Sequence, residues 1–141
     1  MISQTATTSF KVELAQGLHN FGPTTPDTFK LALYDSTADL GADTTVYTTT
    51  GEVTGTGYSA GGVTLVIATA PTSSGTVGYW TFDNAVWNPA DFTARGGLIY
   101  NSTNGDRAVA VLDFGADKVA TNTFTVQFPI ASSTTAILRI S

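Results

Sequence analysis

Most of this chain divides into short segments in which apolar and polar residues alternate, and this period of two restricts it to β structure. In the segment 29–34, for example, Phe29, Leu31 and Leu33 face one side of a predicted strand, while Lys30 faces the other. Further strands are predicted at residues 63–69, 77–86, 97–100, 108–114, 123–128 and 136–140. Turn residues separate them, and Asn104-Gly105 between two apolar runs is a good hairpin signal. About seven short strands without interleaved helices predict a mainly β chain, an antiparallel β-sandwich or jelly-roll-like single domain.

One short N-terminal helix is predicted ahead of these strands. Apolar residues recur there at helical spacing, at Phe10, Leu14, Leu18 and Phe21. Ser9 is the expected N-cap, and Gly22-Pro23 is expected to end the helix. Residues 1–8 are expected to form a flexible or docking arm, followed by the sandwich domain at residues 9–141. Residues 35–62 form one long, irregular connection, and such connections are often functional or interface loops.

The composition restricts the classes of partner. The formal net charge is −5, only 12% of residues are charged, and the six basic residues are scattered, so the footprint that nucleic-acid binding needs is missing. No apolar run is long enough to cross a membrane, and the N-terminus lacks the features of a signal peptide. Without cysteine there are no disulfides or thiolate sites. We therefore expect a soluble chain made in the cytoplasm, with no nucleic-acid or membrane partner.

Two features suggest catalysis, and each has a simpler explanation. Gly57-Tyr58-Ser59-Ala60-Gly61 matches the nucleophile-elbow pattern, in which a strand–turn–helix projects the serine. Here a strand pattern follows instead of a helix, which favours a flexible loop. His19 is the only histidine and lies near the end of the predicted helix, where a capping or surface position is expected.

Two other patterns suggest a metal ion and a glycan acceptor. Asp35, Asp39 and Asp43 are spaced by four, but the EF-hand spacing is absent, so a solvated loop without a metal is expected. Asn101-Ser102-Thr103 fits the glycosylation acceptor pattern. Without a secretion signal, this match is expected to be inert.

An aromatic-rich stretch is the best candidate for a ligand surface. Its members are Trp80, Phe82, Trp87 and Phe92. Such rings line carbohydrate grooves, but they also dominate ordinary β-cores and subunit interfaces. Trp80 and Phe82 share strand parity, which favours one packed face in a core or interface.

Two predicted strands, at residues 108–114 and 136–140, are apolar on both faces. Such a strand is either central, with both sides covered, or borders another subunit. These strands are therefore the first candidates for a buried contact between subunits. The candidate interface residues are Val109, Val111, Leu112, Phe114, Ile137, Leu138, Ile140, Tyr58 and Trp87.

Several strings of this sequence resemble small virion proteins of tailed bacteriophages. They are FKLALY at 29–34, VYTTTGEV at 46–53, GTGYSAGG at 55–62, ARGGLIYN at 94–101, AVAVLDFG at 108–115 and FTVQFP at 124–129. Within that group, the chain is most similar to capsid cement or decoration proteins with a jelly-roll-like fold. The resemblance implies a place on the outer face of the head, where such proteins clamp neighbouring major capsid subunits. It implies no catalytic residue and no cofactor.

The resemblance therefore implies a virion structural protein, and we expect it to be no enzyme and to hold no metal or cofactor. Its expected partners are the major capsid protein and a second copy of the chain, since twofold dimers are the commonest oligomers. The alternative hypothesis is a tail or head fibre module that binds host-surface glycan through Trp80 and Trp87. A serine hydrolase that acts through Ser59 is a third hypothesis.

Overall fold

A five-stranded antiparallel sheet is the centre of the fold, and chain segments cover both of its faces. The computed structural model describes all residues, Met1–Ser141. In chain order, the elements are β1 (Thr5–Ala6), α1 (Thr8–Ala15), β2 (Phe29–Tyr34), β3 (Val63–Thr64), β4 (Ile67–Ser74), β5 (Val77–Phe82), β6 (Ala85–Trp87), β7 (Phe92–Asn101), β8 (Arg107–Ala120), β9 (Phe124–Val126) and β10 (Leu138–Ile140). The sheet has the order β1-β8-β7-β2-β3, and each neighbouring pair is antiparallel.

A second layer covers one face of this sheet. It consists of a three-stranded sheet in the order β10-β5-β4 and of the pair β6-β9. Between the two layers lies a first core of 23 buried residues that is rich in aromatic rings. Phe21 stacks on Phe29 with ring centroids 4.2 Å apart, and Trp87 meets Phe124 at 5.9 Å. The predicted antiparallel β-sandwich with one short helix is therefore confirmed.

The N-terminal residues and the long connection 35–62 cover the opposite face of the sheet. They contribute Ile2, Ala38 and Leu40 to a second core of nine buried residues. Single β-bridges join Ile2 to Leu40, Tyr34 to Glu52 and Val46 to Arg107. The central strands are thus covered on both faces, which explains why the first half of β8 is apolar on both sides.

The helix and the N-terminal arm differ from the predictions. Thr7, rather than Ser9, caps α1, because its Oγ1 accepts a hydrogen bond from the Phe10 backbone N–H at 3.2 Å. The helix ends at Ala15 instead of continuing to Phe21, and Gly17 follows with a left-handed φ of 75°. Residues 1–8 are not a free arm, because Ile2 is buried and β1 pairs with β8.

Strand ends were also predicted imperfectly, although the main hairpin is confirmed. Residues 63–69 form two strands rather than one, and β4 continues through Pro71, where a turn was expected. Because β4 is an edge strand, the missing N–H of proline is tolerated there. Asn104-Gly105 lies in the turn between β7 and β8, where Gly105 has a φ of 65°.

Candidate functional site

The predicted interface residues lie mostly inside the chain. Five of the nine are buried in the two cores, namely Trp87, Val109, Val111, Leu112 and Leu138. The prediction is wrong for these five, because the chain itself covers the strands that the apolar pattern assigned to a subunit contact. Tyr58, Phe114 and Ile137 are half-buried against the first core, and Ile140 alone keeps 53% of its surface exposed.

The aromatic stretch belongs to the first core. Trp80, Phe82, Trp87 and Phe92 are all at least 95% buried. The prediction that these rings form a packed face is confirmed. Their faces are in contact with other core rings, such as Phe21 beside Trp80 with centroids 4.9 Å apart.

The only histidine is buried in a polar cluster between α1 and the sheet. Its side chain has no exposed surface, so the predicted capping or surface position is wrong. Nε2 of His19 lies 3.0 Å from the Glu13 carboxylate, and Nδ1 lies 3.1 Å from Nδ2 of Asn101. Arg107 Nη1 donates to the same Glu13 carboxylate at 2.6 Å. This cluster joins α1 to β7 and β8.

Hydrogen bonding determines the tautomer of this histidine. The Asn101 Oδ1 accepts from the backbone N–H groups of Thr103 and Asn104, so Nδ2 is the atom that faces His19. Nδ2 can only donate, and the Glu13 carboxylate can only accept. His19 therefore carries its proton on Nε2 and accepts on Nδ1. Asn101 is itself completely buried, which leaves its amide inaccessible to glycosylation.

A second polar cluster fastens the long connection to the sheet, and Glu52 is its centre. One carboxylate oxygen accepts from the Tyr47 hydroxyl at 2.6 Å. The other accepts from the Tyr58 hydroxyl and from the Gly61 backbone N–H, both at 2.7 Å. Tyr58 also accepts from the backbone N–H of Leu33 in β2 at 2.9 Å, which ties the connection to the central sheet.

Two further tyrosines extend this cluster across the second core. Tyr34 donates to the Thr48 carbonyl and Tyr100 donates to the Gly61 carbonyl, each at 2.6 Å. Burial raises the pKa of Tyr100 to about 12, with Asp106 and Glu52 adding to the effect. Burial followed by the charge or hydrogen bond of Glu52 also raises the pKa values of Tyr34, Tyr47 and Tyr58. These hydroxyls therefore remain neutral donors in the folded chain.

The nucleophile-elbow match has a packing explanation. Gly57 has a φ of 87°, and a Cβ there would lie 1.8 Å from the Pro89 carbonyl oxygen. Gly61, the second glycine of the match, has a φ of 96°, and a Cβ there would lie 3.3 Å from the Tyr100 hydroxyl. Both positions have the left-handed φ that favours glycine, and at Gly57 the connection also passes too close to other backbone for a side chain. Ser59 is exposed in this loop, and the two-residue strand β3 follows where a helix would be needed.

The three spaced aspartates lie separately on the long connection. Asp35 accepts from the backbone N–H of Thr37 at 2.8 Å, Asp39 lies 3.6 Å from the N-terminal amine, and Asp43 is exposed. No group of three or more His, Asp or Glu residues has the arrangement of a metal site.

The second layer is the charge-poor part of the molecule. Arg139 is the only charged residue in its five strands, and no charged residue occurs between Glu52 and Asp83 or between Lys118 and Arg139. Exposed apolar side chains lie on or beside it, including Val66, Val86 and Ile130. Depletion of charge with exposed apolar residues is typical of the centre of a protein interface. The sequence reasoning missed this layer, although the uncharged runs are visible in the sequence.

The surface hollows are open and small. The largest have volumes of about 340 Å³, and one of these lies between β8 and β9, where Phe114, Lys118 and Phe124 line it. Three others meet at Ala6 and Leu138, between β1 and β10.

Comparisons with known proteins provide no relative for this chain. It matches no protein-family model, and no curated protein and no solved structure is significantly similar to it. The one helix, α1, has eight residues, and no helix has the length and apolar content that a membrane span requires.

Proposed function

We propose that this chain is a capsid cement protein of a tailed bacteriophage, bound to the outer face of the head, where it bridges neighbouring major capsid subunits. The charge-poor second layer is the observation that carries the proposal. The sequence strings that resemble capsid decoration proteins support the identity of the partner.

Burial of apolar and hydroxyl-bearing surface is the proposed mechanism. Val66 and Val86 are 59% and 51% exposed on the second layer. Val66 lies in an uncharged run of the sequence, whereas Asp83 is three residues before Val86. Few charges on this layer mean little repulsion between closely packed proteins. Many identical weak contacts around a shell then hold firmly through multivalency.

We also propose that two copies pair through part of this layer and leave the rest of it for the capsid subunits. A twofold axis brings one surface against itself, so like charges near the axis repel each other. On a chain with a net charge of −5, a charge-poor layer avoids that repulsion. The polar clusters that fasten the long connection and α1 keep the body of each copy preorganised, which lowers the entropic cost of assembly.

Antibody labelling of intact phage particles tests the location. Label on the head supports the proposal, and label confined to the tail contradicts it. The contact surface is tested by pull-down of capsid shells with two matched variants. Val86→Asp in β6 is expected to weaken binding by about tenfold or more, because it buries an unpaired charge at the interface. Val46→Asp on the opposite layer starts from a similar exposure, 48% against 51%, and is expected to bind normally.

The alternative function, glycan binding by a fibre module, relied on Trp80 and Trp87 as surface rings. Both are at least 95% buried, so neither presents a free ring face for a sugar. No other observation favours this function, and we propose only the first.

A further inference from the structure

Two edge strands, one from each layer, lie beside a groove at one side of the sandwich. β1 ends the five-stranded sheet and β10 ends the three-stranded sheet, so each has a strand neighbour on one side only. Three hollows of about 240 to 340 Å³ lie next to one another here, because Ala6 and Leu138 line all of them. We call this combined hollow the seam groove.

The seam groove has an apolar lining and a basic rim. Phe10 and Leu14 of α1 and Leu138 of β10 provide apolar surface, together with the buried ring of Trp80. Lys11 and Arg139 are the only charged side chains that line it, and both are exposed. Arg139 Nη1 donates to the Thr134 carbonyl at 2.6 Å, which holds the guanidinium in place. No acidic side chain lines the groove, so its side-chain charge is positive.

A buried donor in the lining of the groove has no acceptor within the chain. Trp80 is 5% exposed, and its indole Nε1–H makes no hydrogen bond. A buried N–H without an acceptor costs free energy, and most such groups in proteins are paired. The Nε1 atom itself has almost no accessible surface, so the indole ring can report on an occupant of the groove but can hydrogen-bond to it only if the ring shifts.

We propose that the seam groove binds an extended, acidic segment of a partner protein. Strand edges on both walls suit an added extended segment, which gains main-chain hydrogen bonds from them. The separate hollows are smaller than most pockets for whole small molecules, but they suit alternate side chains of such a segment. Lys11 and Arg139 select for carboxylates on the occupant.

A second copy of this chain is a poor occupant. Its acidic stretch at residues 35–43 is packed onto the sheet through Ala38 and Leu40, which are buried. We therefore take the occupant to be a segment of another protein. The groove lies at an edge between the layers rather than on the outer face of the second layer, so the inference does not depend on the capsid role.

The two tryptophans allow a direct test by nuclear magnetic resonance. Trp80 lines the seam groove, whereas Trp87 lies in the core among Tyr58, Phe92 and Phe124. The probe is a short synthetic peptide of alternating valine and glutamate, compared with one of alternating valine and lysine. We expect the acidic peptide to shift the indole N–H signal of Trp80 and to leave that of Trp87 in place. No shift at Trp80, or equal shifts with both peptides, overturns the proposal.

Three variants separate this groove from other surfaces. Lys11→Glu combined with Arg139→Glu is expected to weaken binding of the acidic peptide by about tenfold, because rim charges contribute modestly to affinity. Lys118→Glu, beside the different hollow between β8 and β9, is expected to change nothing. Ala6→Leu fills the seam groove and is expected to abolish the Trp80 shift. If a folded Ala6→Leu protein binds the acidic peptide normally, the groove is not the binding site. If dodecanoate, a fatty acid, shifts the Trp80 signal and the acidic peptide does not, the occupant is not a protein segment and the proposal is overturned.

Discussion

The two faces of the five-stranded sheet are covered by different physical means. Over one face, 23 buried residues pack between two layers of strands, and stacked rings such as Phe21 on Phe29 dominate the contact. Over the other face, nine buried residues lie beneath a connection without regular strands, and hydrogen bonds to Glu52 fasten that connection. Apolar burial holds the first cover, whereas partly buried hydrogen bonds to Glu52 help to hold the second over its smaller apolar core.

The difference has a consequence for the outer surfaces. The outer surface of the second layer carries almost no charge. The aromatic core beneath its strands stabilises the layer without surface ion pairs. The connection carries Asp35, Asp39, Asp43 and the fastening Glu52, so the opposite outer surface is acidic. A chain built this way has one surface suited to close packing and another suited to solvent.

The largest expected effect comes from the aromatic core. Phe29→Ala removes a ring that is 1% exposed and stacked at 4.2 Å, and it should lower the free energy of unfolding by about 3–5 kcal/mol. Urea denaturation followed by fluorescence measures this loss. If the variant does not fold, Phe29→Leu takes its place with a smaller expected loss of about 1 kcal/mol. Little change in either variant contradicts the view that this core dominates stability.

The next largest loss of stability is expected at Glu52, whose hydrogen bonds hold the long connection against the sheet. Glu52→Ala leaves the hydroxyls of Tyr47 and Tyr58 and the Gly61 N–H without their acceptor, which should cost about 2–3 kcal/mol. Glu52→Gln keeps the shape and one acceptor oxygen, so its cost should be lower. Hydrogen exchange should increase in residues 35–62 and stay unchanged in β5. Equal increases of exchange in residues 35–62 and in β5 would show that Glu52 does not stabilise the connection separately from the rest of the fold.

A single hydroxyl sharpens the comparison within one strand. Tyr34 lies in β2 with Phe29 but faces the second core, and its hydroxyl donates to Thr48. Tyr34→Phe should cost about 1 kcal/mol, because one hydrogen bond is lost and the ring remains. Tyr79→Phe is the control, since the Tyr79 hydroxyl makes no hydrogen bond to another residue. Equal losses in the two variants, measured by urea denaturation, would contradict the assigned role of Tyr34.

Tyrosine ionisation is expected to leave the free energy of unfolding unchanged at neutral pH, and its effect appears only at high pH. The folded chain holds the pKa of Tyr100 at about 12 and raises those of Tyr34, Tyr47 and Tyr58, whereas an unfolded tyrosine titrates near pH 10. Stability from these groups is therefore fully present below about pH 10 and is lost as the pH rises above it. Phenolate absorbance should rise for these four residues only as the chain unfolds. Titration of all five tyrosines near pH 10 in a folded chain would contradict this.

Local pattern predicted the parts of the fold that depend on neighbouring residues. Alternation identified β2, an apolar run identified the first half of β8, and Asn104-Gly105 identified the hairpin between β7 and β8. The helix was predicted too long because apolar spacing continues to Phe21 even though the chain turns at Gly17. The interface prediction was wrong for Val109, Val111 and Leu112 on β8 for a different reason, since an apolar pattern does not distinguish cover by the same chain from cover by another subunit.

The periodicity of the sequence did not predict the two polar clusters around Glu52 and His19. Glu52 stands alone as an acid among threonines and glycines, and its partners Tyr47, Tyr58 and Gly61 become neighbours only when the connection folds back on itself. His19 meets Asn101 across a still longer stretch of sequence. Two tyrosines flanking a lone glutamate in a glycine-rich loop are, in retrospect, the signal that was available.

Hydrogen exchange on the chain bound to phage heads, compared with the free chain, tests the central claim most directly. The account predicts slower exchange on the heads in the second layer, at Ile67–Ser74, Val77–Phe82 and Ala85–Trp87, and unchanged exchange in residues 35–52. Slower exchange confined to residues 35–52, with the second layer unchanged, would contradict it.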